Sequence, residues 1–234
     1  MRSPEVSVVS LDGLNNNGKT TQVRYLQNEL VARGVSVIVR RGDGSRKGTG
    51  SSESDPVSEW WQENFKRINA AGLEGPEAEA AAAFASQRLL HELYELKTKE
   101  YPTELEAGNK DKGVVLLDRG PISRLFVARR YDPEVTFEDA FGLEDNLQLE
   151  EVIPDDVLVL HTSKETLLAR NDARQEGQAK RDFNRYIISR YYETFERVLD
   201  DLPPLLAERT TIIDSGMPIE EVGRAALSVV VDRL

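Results

Sequence analysis

The chain contains no cysteine and only two histidines, His91 and His161, placed far apart. The lack of thiols excludes disulfides, thiolate catalysis and zinc sites built on cysteine, and two separated histidines leave little for a metal cage. Long hydrophobic runs are missing as well. The longest, such as residues 114–117 and 157–160, fall far short of the roughly 20 residues a membrane helix requires. No cationic stretch with an apolar signal region precedes Val6, so a cytoplasmic location is expected. Positive charge is scarce: 30 Lys and Arg face 41 Asp and Glu, a net charge of −11 that opposes general attraction to a nucleic-acid polymer. A small phosphorylated ligand stays open, because it needs only a few local cations and oriented backbone N–H groups.

What is present suits a globular protein with a substantial core. With 234 residues, 39% of them hydrophobic and 30% charged, the chain fits one α/β domain over residues 1–234 that carries a lid or insertion. Val6-Ser7-Val8-Val9-Ser10-Leu11 reads as a buried strand, Gly13 opens a polar turn, and residues 19–33 read as a helix. Gly34 suits a position just past a helix end, and Val35-Ser36-Val37-Ile38-Val39 returns to strand character, so a βαβ unit and a parallel sheet are predicted. Residues 42–55 lack apolar periodicity and read as a mobile loop; helices are predicted over 56–70 and 76–106. Further strands are expected at 113–118, 156–161 and 210–214, with a last helix over 218–234. The expected architecture is a five-stranded parallel sheet flanked by helices in three layers, of the P-loop NTPase type.

Two segments stand out by charge. Residues 133–156 hold nine acidic and no basic side chains, the composition of a solvated face. Residues 170–190 hold six basic against three acidic, and such a stretch in an acidic protein calls for an anion.

The sharpest signal is Gly13-Leu14-Asn15-Asn16-Asn17-Gly18-Lys19-Thr20, which satisfies G-x-x-x-x-G-K-[ST] between a predicted strand and a predicted helix. At ordinary amino-acid frequencies such a match arises by chance in about 1% of chains of this length. Glycines let the backbone curl with its N–H groups turned toward phosphate oxygens, and the helix N-terminus adds partial positive charge. Lys19 would reach the β- and γ-phosphates, the Thr20 hydroxyl would ligate Mg²⁺, and Thr21 would offer its backbone. Asp118, which ends an apolar strand, is the candidate carboxylate for the metal, the alternative being a plain helix cap. The two histidines read as structural.

With these residues placed, the chain resembles the thymidylate kinase family of nucleoside monophosphate kinases over nearly its whole length. The resemblance rests on Leu11-Asp12-Gly13 running into Gly18-Lys19-Thr20-Thr21-Gln22, on Asp118-Arg119 followed by Ser123, on Phe84 with Arg88, and on the basic segment around Arg170 to Arg185. It implies ATP-dependent phosphoryl transfer, with Mg²⁺, to a nucleoside monophosphate such as dTMP, and it suggests a homodimer. Under it Arg119 holds the acceptor phosphate, Phe84 stacks on the acceptor base, and Arg88, one helical turn on, hydrogen-bonds that base. Arg41, or Arg40 beside it, grips the acceptor from the other side. Arg174 and Arg181 belong to a lid over 170–185 with Arg170 at its base, and Ser215 and Gly216 lie in the loop along the adenine.

Asn15 and Asn16 stand where the family usually has Asp and Gly, so Asn15 offers a sugar hydroxyl an uncharged partner. Gly120, Arg124 and Val127 replace residues that read the acceptor, which points to an acceptor preference unlike that of a strict thymidylate kinase. Two other readings remain open at this stage: a kinase of nucleosides or other hydroxyl acceptors, and a nucleotide-binding switch. Against the switch, no switch glutamine is evident.

Overall fold

A computed structural model describes residues 5–41, 101–108, 112–141, 153–175 and 177–234. The predicted loop 42–55, the helix 56–70, most of the helix 76–106, and Phe84 and Arg88 lie outside the described residues.

The elements run β1 (Glu5–Asp12), α1 (Lys19–Ala32), β2 (Ser36–Arg41), α2 (Tyr101–Ala107), β3 (Lys112–Asp118), α3 (Pro121–Arg129), α4 (Phe137–Phe141), β4 (Asp156–His161), α5 (Lys164–Asp172), α6 (Gln178–Asp200), α7 (Pro204–Glu208), β5 (Thr210–Asp214) and α8 (Ile219–Arg233). The five strands form one all-parallel sheet in the order β2-β3-β1-β4-β5. Each predicted strand is present with its ends shifted by at most a residue or two.

Helices cover both faces of the sheet, which explains why the central strands read as unbroken apolar runs and not as alternating ones. Val9, Leu11, Val114, Leu116, Leu158 and Leu160 turn to one face and pack on Val23, Leu26 and Leu30 of α1 and on Val222, Ala226 and Val230 of α8. Val8, Val115, Leu117, Val157 and Val159 turn to the other and pack on Ile122 and Leu125 of α3, Leu167 of α5, and Ile188 and Phe195 of α6. The buried residues of α1, at 19, 22, 23, 26 and 30, fall on a single stripe of a 3.6-residue helix. Fully burying each such leucine contributes about 1.5–3 kcal/mol.

The register aligns the C-terminal ends of the strands. Leu11 and Arg41 both sit opposite Asp118, and His161 sits opposite Asp214. The loops that follow β1, β3, β4 and β5 therefore emerge along one sheet edge, the edge where open α/β sheets bind ligands. Among the described residues no helix is long and apolar enough to cross a membrane.

Candidate functional site

The loop 13–18 joins the central strand β1 to α1. Three of its residues have left-handed backbone: Gly13 at φ 134°, Asn16 at φ 72° and Gly18 at φ 85°. Gly13 has no room for a side chain, because a Cβ there would collide with the carbonyl oxygen of Leu160. Asn17 donates to that same oxygen at 2.6 Å and so stitches the loop to the end of β4. Helix α1 starts without an acidic residue in its first turn, which leaves its N-terminal field open to an anion.

Lys19 curls back over the loop. Its ammonium donates to the carbonyl oxygens of Gly13 and Leu14, each at 2.7 Å, and the side chain is buried. Burial, reinforced by the positive charges of Arg119 and Arg174 and opposed by the nearby carboxylates of Asp118 and Asp12, lowers its pKa from 10.5 to about 7. The two arginines that flank this lysine come from distant places, Arg119 just after β3 and Arg174 just after α5. Thr20 Oγ1 donates to Asp118 Oδ2 at 2.8 Å, so the hydroxyl and carboxylate that the sequence suggests for a metal are already side by side.

Unfolded Lys19 stays protonated to about pH 10.5 whereas the folded protein releases that proton near pH 7, so this residue adds stability as pH rises through that window. A polyphosphate, were it to bind at this loop, would reverse the bias by favouring the ammonium. If ADP binds there, its binding at pH 8 should take up close to one proton, and its affinity should fall as pH rises above 7. Calorimetry in two buffers of different ionisation enthalpy reads this directly. No net uptake, or the same uptake in Lys19→Met, would show that Lys19 does not meet the phosphates.

Arg119 sits at φ 86°, a conformation a bulky residue rarely adopts. Its N–H is tied to Leu11 O at 3.1 Å and its exposed guanidinium donates to Asn15 Oδ1 at 3.0 Å. Because alanine keeps this strain and glycine does not, Arg119→Gly should be more stable than Arg119→Ala by about 1 kcal/mol. Urea denaturation of the two variants decides it, and an alanine variant as stable as the glycine one would mean the backbone relaxes.

The next position is governed by packing. A Cβ on Gly120 would collide with Ser10 and Asp12, so only glycine lets α3 begin this close to β1. Asp12 is fully buried, and its Oδ1 accepts the backbone N–H groups of Gly120 and Ser123, both at 2.9 Å. It thus caps α3 from another strand, where the helix has no side-chain cap of its own. Ser123 and Arg124 are buried in the first turns of α3, and Val127 packs against the core. Arg40 is buried at the end of β2; of Arg41 the backbone alone is described, in register with Asp118.

On the far side, Ser215 closes the loop after β5. Its Oγ contacts Asn17 Oδ1 at 3.4 Å and donates to His161 O at 3.1 Å, and its carbonyl accepts from Arg170 Nη2 at 2.5 Å. The Gly216 N–H is bonded to Asp214 Oδ1 at 2.7 Å. Within 170–185 the chain is not one extended loop. It forms the end of α5 and the start of α6, with Arg181 in the first turn of α6 donating to Gln178 Oε1 at 2.6 Å and to Arg174 O at 3.3 Å.

The fold thus gathers Gly13 to Thr21, Asp118, Arg119, Arg174, Arg170 and Ser215 along one edge of the sheet, and sets Ser123 and Arg124 inside α3. Asn171 and Asn184 are participants that pattern reading passed over, and Asp12 enters it only within Leu11-Asp12-Gly13, without a role. Asp12 had a visible signal as a charged residue ending an apolar strand; the two asparagines had none. Comparison with protein-family models and with curated protein sequences gives no match.

Proposed function

We propose that the protein is a small-molecule kinase of the P-loop type that transfers the γ-phosphoryl group of ATP to a nucleoside monophosphate, in the manner of the thymidylate kinase family. The observation that carries this reading is the convergence on Lys19 of Arg119, Arg174 and Asp118, with Thr20 bonded to Asp118, beside a loop whose glycines bring the backbone close. Cations surround the point where charge develops on a transferring phosphoryl group, and transfer of this kind depends on positioning and charge stabilisation more than on a general base.

In this reading the loop N–H groups and the α1 terminus hold the β- and γ-phosphates, and the arrival of phosphate draws the Lys19 ammonium away from Gly13 O and Leu14 O. Thr20 Oγ1 and Asp118 are hard oxygen donors of the kind that would hold Mg²⁺. Held there, Mg²⁺ would neutralise phosphate charge. Arg119 orients the acceptor phosphate, one of whose oxygens attacks the γ-phosphorus as the bond to the β-phosphate oxygen breaks, releasing ADP. Arg174 and Arg181 balance the charge spread over the equatorial oxygens, and Ser215 with Gly216 lines the nucleoside end of ATP. The partners are therefore ATP and a nucleotide acceptor.

ADP formation across a panel of nucleosides and nucleoside monophosphates tests this. Turnover with at least one monophosphate is expected, with thymidine monophosphate preferred over the others by less than about 100-fold, or roughly 2.7 kcal/mol. Turnover with nucleosides alone would move the acceptor to a hydroxyl. ADP release equal with and without every acceptor would replace the kinase by a hydrolase.

A further inference from the structure

Asn171, in the last turn of α5, is fully buried and uses both ends of its amide. Its Oδ1 accepts from Asn16 Nδ2 at 3.2 Å, and its Nδ2 donates to Arg181 O at 2.9 Å. An amide inside a protein costs free energy unless it is hydrogen-bonded, and a leucine would fill similar space. What the amide adds is connection between three segments: the glycine-rich loop, the end of α5 and the first turn of α6. A second link runs parallel to it. Asn15 Nδ2 donates to Asn184 Oδ1 at 2.9 Å, and Asn184 is buried on α6 one turn beyond Arg181.

Two consecutive loop residues therefore reach the two helices that lie on either side of Arg174, the second of which carries Arg181. Asn16 does so from φ 72°, a conformation asparagine tolerates better than most residues with a side chain. The connection is short and rigid on its helical side, since the Arg181 N–H is bonded to Gly177 O at 3.2 Å and the Arg174 N–H to Asn171 O at 3.3 Å. Side-chain hydrogen bonds thus link the loop to the segment that holds both arginines.

Building on the kinase reading above, we propose that Asn171 is a positioning residue: through its bond to Asn16 it couples the glycine-rich loop to the α5–α6 hairpin, so that Arg174 and Arg181 are already placed before ATP binds. The hairpin is joined to the loop by the chain's own amides.

Asn16→Gly tests the coupling cleanly, because glycine keeps the positive φ and removes only the amide. In the nucleotide-free protein, hydrogen exchange at the Lys180 and Arg181 amides should accelerate about tenfold in this variant. With ATP and the best acceptor, kcat should fall about tenfold while KM for ATP stays within about twofold, since the arginines act on the transferring group. Asn171→Ala should lose about as much, and the double variant no more than Asn171→Ala alone. Unchanged exchange in Asn16→Gly, or losses in the two variants that multiply, would overturn the proposal. If Asn171→Ala does not fold, Asn16→Gly decides alone. If the wild-type protein transfers phosphoryl to no acceptor, the kinase reading fails, and the exchange comparison still decides whether loop and hairpin are coupled.

Discussion

Lys19→Ala is expected to lower ADP formation by about a hundred- to a thousandfold, the range observed when one preorganised donor to a developing charge is removed. The reason lies in where the ammonium rests. Held by two loop carbonyl oxygens and pressed by Arg119 and Arg174, it is a poorly solvated group beside the positive-φ glycines of loop 13–18. On the proposed reading, an incoming phosphate would relieve that situation and favour the charged ammonium at close range. Stability should change little, because the variant loses two hydrogen bonds but also a buried charge that folding disfavours. Circular dichroism and thermal melting check the fold, and steady-state turnover checks the chemistry. A well-folded variant with turnover within about threefold of wild type would remove Lys19 from the reaction.

Asp12→Ala should act on the opposite side of the balance, with a loss of about 3 kcal/mol in unfolding free energy. Alanine leaves the buried N–H groups of Gly120 and Ser123 without an acceptor and removes the partner of Ser10 Oγ at 3.2 Å. Asp12→Asn retains one oxygen for those N–H groups and should lose only about 1 kcal/mol. Urea denaturation at pH 7 measures both. Since α3 begins immediately after Arg119, the alanine variant should also lose turnover through misplacement of that guanidinium. An unfolding free energy within about 0.5 kcal/mol of wild type would show that Asp12 does not hold α3 in place.

Much of this protein can be read from local chemistry. Buried parallel strands must be apolar on both faces, so residues 6–11, 114–117 and 156–161 announce themselves, and the sheet of five parallel strands follows from their alternation with helices. Gly13 and Gly18 mark the sharp loop between β1 and α1, and Lys19 and Thr20 follow at the spacing that places them at the helix start. These features depend on residues within a turn or two of one another, and short-range sterics and periodicity determine them.

The rest depends on approach between segments about a hundred residues or more apart. Nothing local gives β1 its place between β3 and β4, or sets Thr20 2.8 Å from Asp118. Gly120 reads as a departure from a family pattern until the nearness of Ser10 and Asp12 shows why no side chain fits. The left-handed backbone of Arg119 has no signal in its side chain; it is imposed by the bond to Leu11 O and the start of α3 against β1. The segment 170–185 reads as a basic stretch that calls for an anion, and nothing local shows that Asn171 and Asn184 in it meet Asn16 and Asn15 across more than 150 residues. Sequence alone determined the strands, the loop and the chemical types of the candidate groups, because these follow from neighbouring residues. Only the tertiary structure decided which groups meet and which helix each carboxylate and amide holds, because hydrogen bonds between distant segments form wherever packing brings them and leave no period in the chain.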